Sequence, residues 1–171
     1  MQKILETADF ETFSLPSDFD YSKQALLFIP QDLGDIKNNV HEIISFLDIF
    51  FRVVKGRTLV LFTAFFMIRE VFAKLKIQLE QDNIHLLAQS ISGSKYKQID
   101  TFKKHPENSI LLGTDTFWEG IDIPGEDLQY LILHKIPFQV PTDPIFQARS
   151  ALFQDSFQEY AIPKSILKLK Q

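Results

Sequence analysis

Ser109–Gly125, "SILLGTDTFWEGIDIPG", decides how the rest of the chain is read. Ile110-Leu111-Leu112-Gly113 is apolar throughout and has the look of a buried strand. Directly after it come a hydroxyl, a carboxylate, a second hydroxyl, the only tryptophan, and Glu119-Gly120-Ile121-Asp122. A core strand that empties into such a loop places polar chemistry at one end of a sheet.

Working outward, the neighbouring segments repeat the pattern. Thr58-Leu59-Val60-Leu61-Phe62 is β-branched and apolar, hence a buried strand. Thr63 stands at the N-cap position of a helix whose inner face is Ile68, Val71, Phe72 and Leu75. Residues 84–88 predict a further core strand, 90–94 a loop containing Gly93, and 95–104 a short helix with Ile99 and Phe102 inward. His105-Pro106-Glu107-Asn108 turns the chain into the 109–113 strand. Downstream, 128–133 reads as a strand, Pro137, Pro141 and Pro144 stiffen an irregular loop, and a helix starts near Ile145. Pro163 opens a last helix over 164–171. Upstream, residues 1–24 read as an extended acidic arm and 25–29 as a strand closed by Pro30. Apolar positions 36, 40, 43, 44, 47, 51 and 54 are spaced for a helix that Gly56 ends. The expected organisation is an arm, 1–24, and one domain, 25–171.

Strands that are apolar throughout and separated by helices imply an α/β fold with a parallel sheet covered on both faces. Such sheets carry their sites on the loops at the carboxyl ends of the strands. Thr63, Ser90 and the 114–122 loop therefore all leave the same edge.

Composition narrows the chemistry. The 171 residues hold no cysteine, which excludes Cys-ligated zinc or iron–sulfur centres within them. No apolar run approaches the ~20 residues that span a bilayer, and the acidic start is unlike a signal peptide, so a soluble cytoplasmic protein is expected. Net charge is −4, yet residues 1–50 hold three lysines against nine acids and residues 51–171 fifteen basic groups against thirteen acids. The second part can thus meet a polyanion. Seventeen phenylalanines suit an aromatic core, or an interface with segments that are not part of the chain.

A hydroxyl at a strand end followed by a helix with free N–H groups is a phosphate seat, which fits Thr63-Ala64 and Thr114–Thr116. The backbone amides around Gly93 fit as well. Asp122 can accept from a ribose hydroxyl. Lys95, Lys97, Lys103 and Lys104 either add phosphate attraction or form a solvated helix face. Trp118 either stacks on a base or anchors its loop on the sheet. There is no G-x-x-x-x-G-K-[ST] loop, no strand-end Asp-Glu pair, no metal spacing among the four histidines and no G-x-S-x-G elbow. Glu119 and Asp122 read as solvated or capping groups rather than an acid/base pair. No catalytic and no metal-ligating residue is expected in this chain.

"RTLVLFTAFFMIREVFAKL" (57–75), "SILLGTDTFWEGIDIPGEDLQYLILHKIPFQVPTDPIFQAR" (109–149) and "AIPKSILKLKQ" (161–171) resemble the second RecA-like motor domain of superfamily 2 DNA helicases of the DinG/XPD type. The resemblance runs from about Asp18 to the last residue. It implies a RecA-like three-layer sandwich with a mostly parallel central sheet. It further implies that Thr63, Ala64, Ser90, Thr114, Thr116 and Trp118 face single-stranded DNA. Glu119, Gly120 and Asp122 would lie on the ATP side of a cleft completed by a first RecA-like domain. ATP and Mg2+ are then cofactors of a larger protein that unwinds duplexes 5′ to 3′. The resemblance leads one to expect the chain to stop short of motif VI and its arginine finger, and to be inactive in isolation. Two other readings stay open: a non-catalytic module that docks on single strands or on a protein, and an unrelated doubly wound domain that binds a nucleotide or flavin.

Overall fold

The computed structural model describes residues 13, 15–34, 39–118 and 121–170; of Asp115 and Trp118 it describes the backbone. The backbone divides into two compact units, Met1–Leu33 and Gly34–Gln171.

In the first unit the expected strand at 25–29 is absent. Its residues pair with no strand among the described residues, and Leu26 and Leu27 are 94% and 83% exposed. Apolar content makes a strand only where a neighbouring strand satisfies its backbone. Among the described residues the arm holds a helical turn, α1 (Tyr21–Gln24).

The second unit is built on four parallel strands in the order β2-β3-β1-β4. In chain order the elements are α2 (Val40–Val54), β1 (Thr58–Leu61), α3 (Phe65–Gln81), β2 (His85–Ala88) and α4 (Lys95–Lys104). There follow β3 (Ser109–Gly113), α5 (Asp115–Trp118), β4 (Tyr130–Leu133), α6 (Pro144–Ser150) and α7 (Ile162–Leu169). The RecA-like α/β expectation holds. Side-chain alternation feeds two cores. Val60, Leu86, Ile110 and Leu112 point to the face covered by α2 and α3, with Leu47, Phe51, Ile68 and Val71. Leu59, Leu61, Leu87 and Leu111 point to the other, with Phe102 of α4 and Phe117 of α5. A central strand in such a sheet is apolar at every position because both faces are covered. Right-handed crossovers oblige connections that run in opposite directions along the sheet to lie on opposite faces, as α3 and α4 do.

Several boundaries differ from the sequence reading. The start of α2 expected at Ile36 falls outside the described residues, and the described helix begins at Val40. Its end is made by Lys55, whose φ of 64° is left-handed, and not by Gly56. Gly56 is required for a different reason: a Cβ there would lie 2.4 Å from the Glu107 backbone. The last helix starts two residues early, at Ile162, and a π-helical turn (Phe157–Ala161) leads into it. Nor is β4 covered on both faces: it is an edge strand, and Tyr130, Leu131 and Leu133 are exposed.

Candidate nucleic-acid interface

Every strand of the sheet points the same way, so the residues following β1, β2, β3 and β4 assemble along one edge. Backbone bonds knit that edge together. Phe62 N–H donates to the Gly113 carbonyl at 2.9 Å, Gln89 N–H to Leu112 at 3.0 Å and His134 N–H to Leu61 at 3.0 Å. Thr63, Ser90 and Thr114 each follow the carboxyl end of one of these parallel strands.

Past β1, Thr63 and Ala64 are both exposed. Thr63 is not the N-cap of α3. Ala64 holds that position, with φ −138° and no side-chain cap. The helix begins one residue later than expected, and the residue at its cap has no side-chain oxygen to offer. The first turn of a 17-residue helix is consequently left without a side-chain oxygen on its N–H groups.

Past β2, Ser90 is exposed at φ 61°. The turn beyond it is held by Ser92, whose hydroxyl accepts from Ala88 N–H at 3.0 Å. It is held also by Gln98 of α4, only 1% exposed, which donates its Nε2 to the carbonyls of Ala88 (2.8 Å) and Gly93 (2.9 Å). Ser94 caps α4, accepting from Lys97 N–H at 3.3 Å.

Past β3, the chain turns at once. Phe117 N–H donates to the Thr114 carbonyl at 2.8 Å, and the Phe117 ring is buried in the second core. Gly113 makes this possible, since a Cβ there would sit 2.6 Å from Cβ and Cγ of Phe117. Thr114 is half-buried and donates both its amide N–H and its hydroxyl to Gln89 Oε1, at 2.6 and 3.0 Å. Thr116 is exposed, and its carbonyl accepts from Lys95 Nζ, which also lies 5.3 Å from the Phe117 ring centre. Trp118 ends α5. Glu119 and Gly120 lie outside the described residues. Asp122 is exposed, between half-buried Ile121 and Ile123 that pack on the second core.

The four lysines of α4 do not act together at this edge. Lys95 reaches the 114–118 turn, but Lys103 and Lys104 stand at the far end of a ten-residue helix, about 15 Å away. Lys104 is paired there with Asp100 at 2.7 Å. Past β4, His134 lies with its ring 5.4 Å from Phe62, and both ring nitrogens are buried without a partner. Burial, and secondarily the charge of Lys135, depress its pKa to about 4, so the imidazole is neutral.

Sequence reasoning passed over Gln89, Gln98 and His134. Gln89 and His134 are each the first residue past a strand, which is the signal that singled out Thr114. Gln98 gave none, because a helix residue that turns inward to satisfy carbonyls looks like any surface glutamine.

These features define a class. The family model for the helicase C-terminal domain matches residues 48–171, and the chain belongs to that family. Among its relatives is the 3′-5′ exonuclease DinG of Bacillus subtilis, 31% identical across 100% of this chain but 20% of that protein. The ATP-dependent DNA helicase YoaA of Haemophilus influenzae is 34% identical over 92% of the chain and 25% of its own length. The ATP-dependent DNA helicase DinG of Photobacterium profundum is 32% identical over 98% and 25%. The chain thus spans a fifth to a quarter of the curated relatives it matches.

Proposed function

We propose that the chain is the C-terminal motor lobe of a superfamily 2, DinG-type ATP-dependent DNA helicase. In this reading its carboxyl sheet edge grips the backbone of single-stranded DNA. The observation that carries the reading is the edge itself: three strand-end turns, at Thr63-Ala64, Ser90 and Thr114–Thr116, presented side by side and backed by rigid strands. The uncapped start of α3 supplies N–H groups suited to a phosphate. Trp118 is proposed to belong to the same track. Glu119, Gly120 and Asp122 are proposed to face the ATP ribose across a cleft that a first RecA-like domain completes.

The described residues fit half of such a cleft. Asp122 is exposed and able to accept from a ribose hydroxyl. Mg2+ is proposed to be held by the other domain. Bound ATP would supply closure of the cleft; this lobe would carry its grip on the strand with it. Unwinding from 5′ to 3′ and a cytoplasmic location are proposed for the whole protein. Among the described residues no helix is long and apolar enough to cross a membrane.

The test is anisotropy of a fluorescein-labelled oligothymidylate titrated with the chain, together with an ATPase assay. Weak binding that falls steeply with salt, about 0.7 log units per phosphate contact for each tenfold in salt, is expected, with hydrolysis at buffer level. Binding indifferent to salt, or turnover above buffer, contradicts the reading. The exposed apolar edge of β4 favours a second reading, a non-catalytic module that docks on protein. That reading predicts no oligonucleotide binding at any salt.

A further inference from the structure

Gln89 sits between the turns past β2 and β3, and its amide can be oriented without ambiguity. The Thr114 N–H is a donor only, so the side-chain atom 2.6 Å from it must be an acceptor, the oxygen Oε1. The Thr114 hydroxyl donates to the same oxygen at 3.0 Å. Two consequences follow. Thr114 has committed both its hydrogens and has none left to offer a phosphate. Gln89 is held by two bonds to one end of its amide, while Nε2, with two N–H groups, has no partner among the described residues and is not sealed in the core. The Lys95 ammonium reaches the adjacent turn through the Thr116 carbonyl.

We propose that Gln89 Nε2 is a direct phosphate-contacting donor of the strand-binding edge, and that Thr114 acts through it as the residue that fixes the amide. The ligand class is a phosphodiester of a single strand, recognised by a neutral N–H pair. The inference rests on the function proposed above.

The decisive variant is Gln89→Glu. A carboxylate keeps an acceptor for both Thr114 donors, so the clamp and the fold survive. It removes the donor pair and sets a negative charge against the phosphate. Gln78→Glu, on the exposed face of α3 away from the edge, adds the same charge as a control. In titrations of the 171-residue chain with a labelled oligothymidylate of about twelve nucleotides, Gln89→Glu is expected to lose tenfold or more in affinity. Its melting temperature should match the wild type. Gln78→Glu should lose less than twofold. Equal losses in the two variants, or wild-type affinity in Gln89→Glu, overturn the assignment of Gln89 while leaving the strand-binding edge in place. Absence of oligonucleotide binding by the wild type at low salt overturns both.

Discussion

His134 offers the sharpest energetic prediction, because its position costs the fold something that can be titrated. Its two nitrogens are buried without partners between the end of β1 and the chain past β4, and its folded pKa is near 4 against an ordinary 6.5. The unfolded chain therefore takes up a proton that the folded chain refuses. Above the unfolded value the group is neutral in both states and no penalty exists. As pH falls from about 6.5 toward 4 the unfolded state is favoured progressively, and below that the loss levels off. A shift of this size is an upper limit of about 3 kcal/mol in full, and about 2 kcal/mol at pH 5. The ring is only partly buried, so solvent trims the pH 5 figure to about 1 kcal/mol. Replacing the imidazole by leucine removes the titration and two unsatisfied buried atoms. His134→Leu is expected to be more stable than wild type by about 1 kcal/mol at pH 7.5, with the gap widening by a further ~1 kcal/mol at pH 5. Urea denaturation followed by far-ultraviolet dichroism at the two pH values reads this difference directly, and carboxylates that titrate in both proteins cancel. A gap that stays constant between pH 7.5 and 5 refutes the buried, unpartnered imidazole.

Gly113→Ala forces a Cβ to within 2.6 Å of Phe117 and should cost about 2–3 kcal/mol in urea denaturation; a loss under about 0.5 kcal/mol means the turn past β3 is not tight. Gln98→Met keeps volume but leaves the Ala88 and Gly93 carbonyls without their donor, for an expected loss of about 1–3 kcal/mol and faster amide hydrogen exchange at 89–93. No change in exchange there dissociates Gln98 from the turn. Ala64→Asp places an acceptor at the missing cap of α3 and should raise stability by about 1 kcal/mol while weakening oligonucleotide binding, since the new carboxylate occupies the proposed phosphate seat. Gain of stability with unchanged binding removes Thr63-Ala64 from the track.

Much of the fold was legible because core strands and amphipathic helices obey rules local to the sequence. The 109–113 strand and the 95–104 helix agree with the structure to the residue, since each has strong punctuation on both sides: His105-Pro106 between them and Gly113 after. Residues 25–29 misled because apolar content measures the demand for burial and not the presence of a partner strand. Thr63 misled by a single residue, which is enough to exchange a capped helix for an open one. At the site, the types of residue were readable and their partners were not. Thr114 is at a strand end in the sequence; that its hydrogens go to Gln89, 25 positions earlier, follows only from β2 and β3 lying side by side. Lys95 reaches the turn past β3, whereas Lys103 and Lys104 are carried off by the length of α4.

The claim beneath all of this is that one edge of the sheet is the face a nucleic-acid strand meets. Backbone amide chemical-shift mapping of the 171-residue chain during titration with oligothymidylate at low salt tests it most directly. The account predicts shifts at Thr63, Ala64, Gln89, Ser90, Thr114 and Thr116, with His85, Glu107 and Asn108 at the opposite end of the strands unmoved. Shifts centred on that opposite end, or on α2, would contradict it.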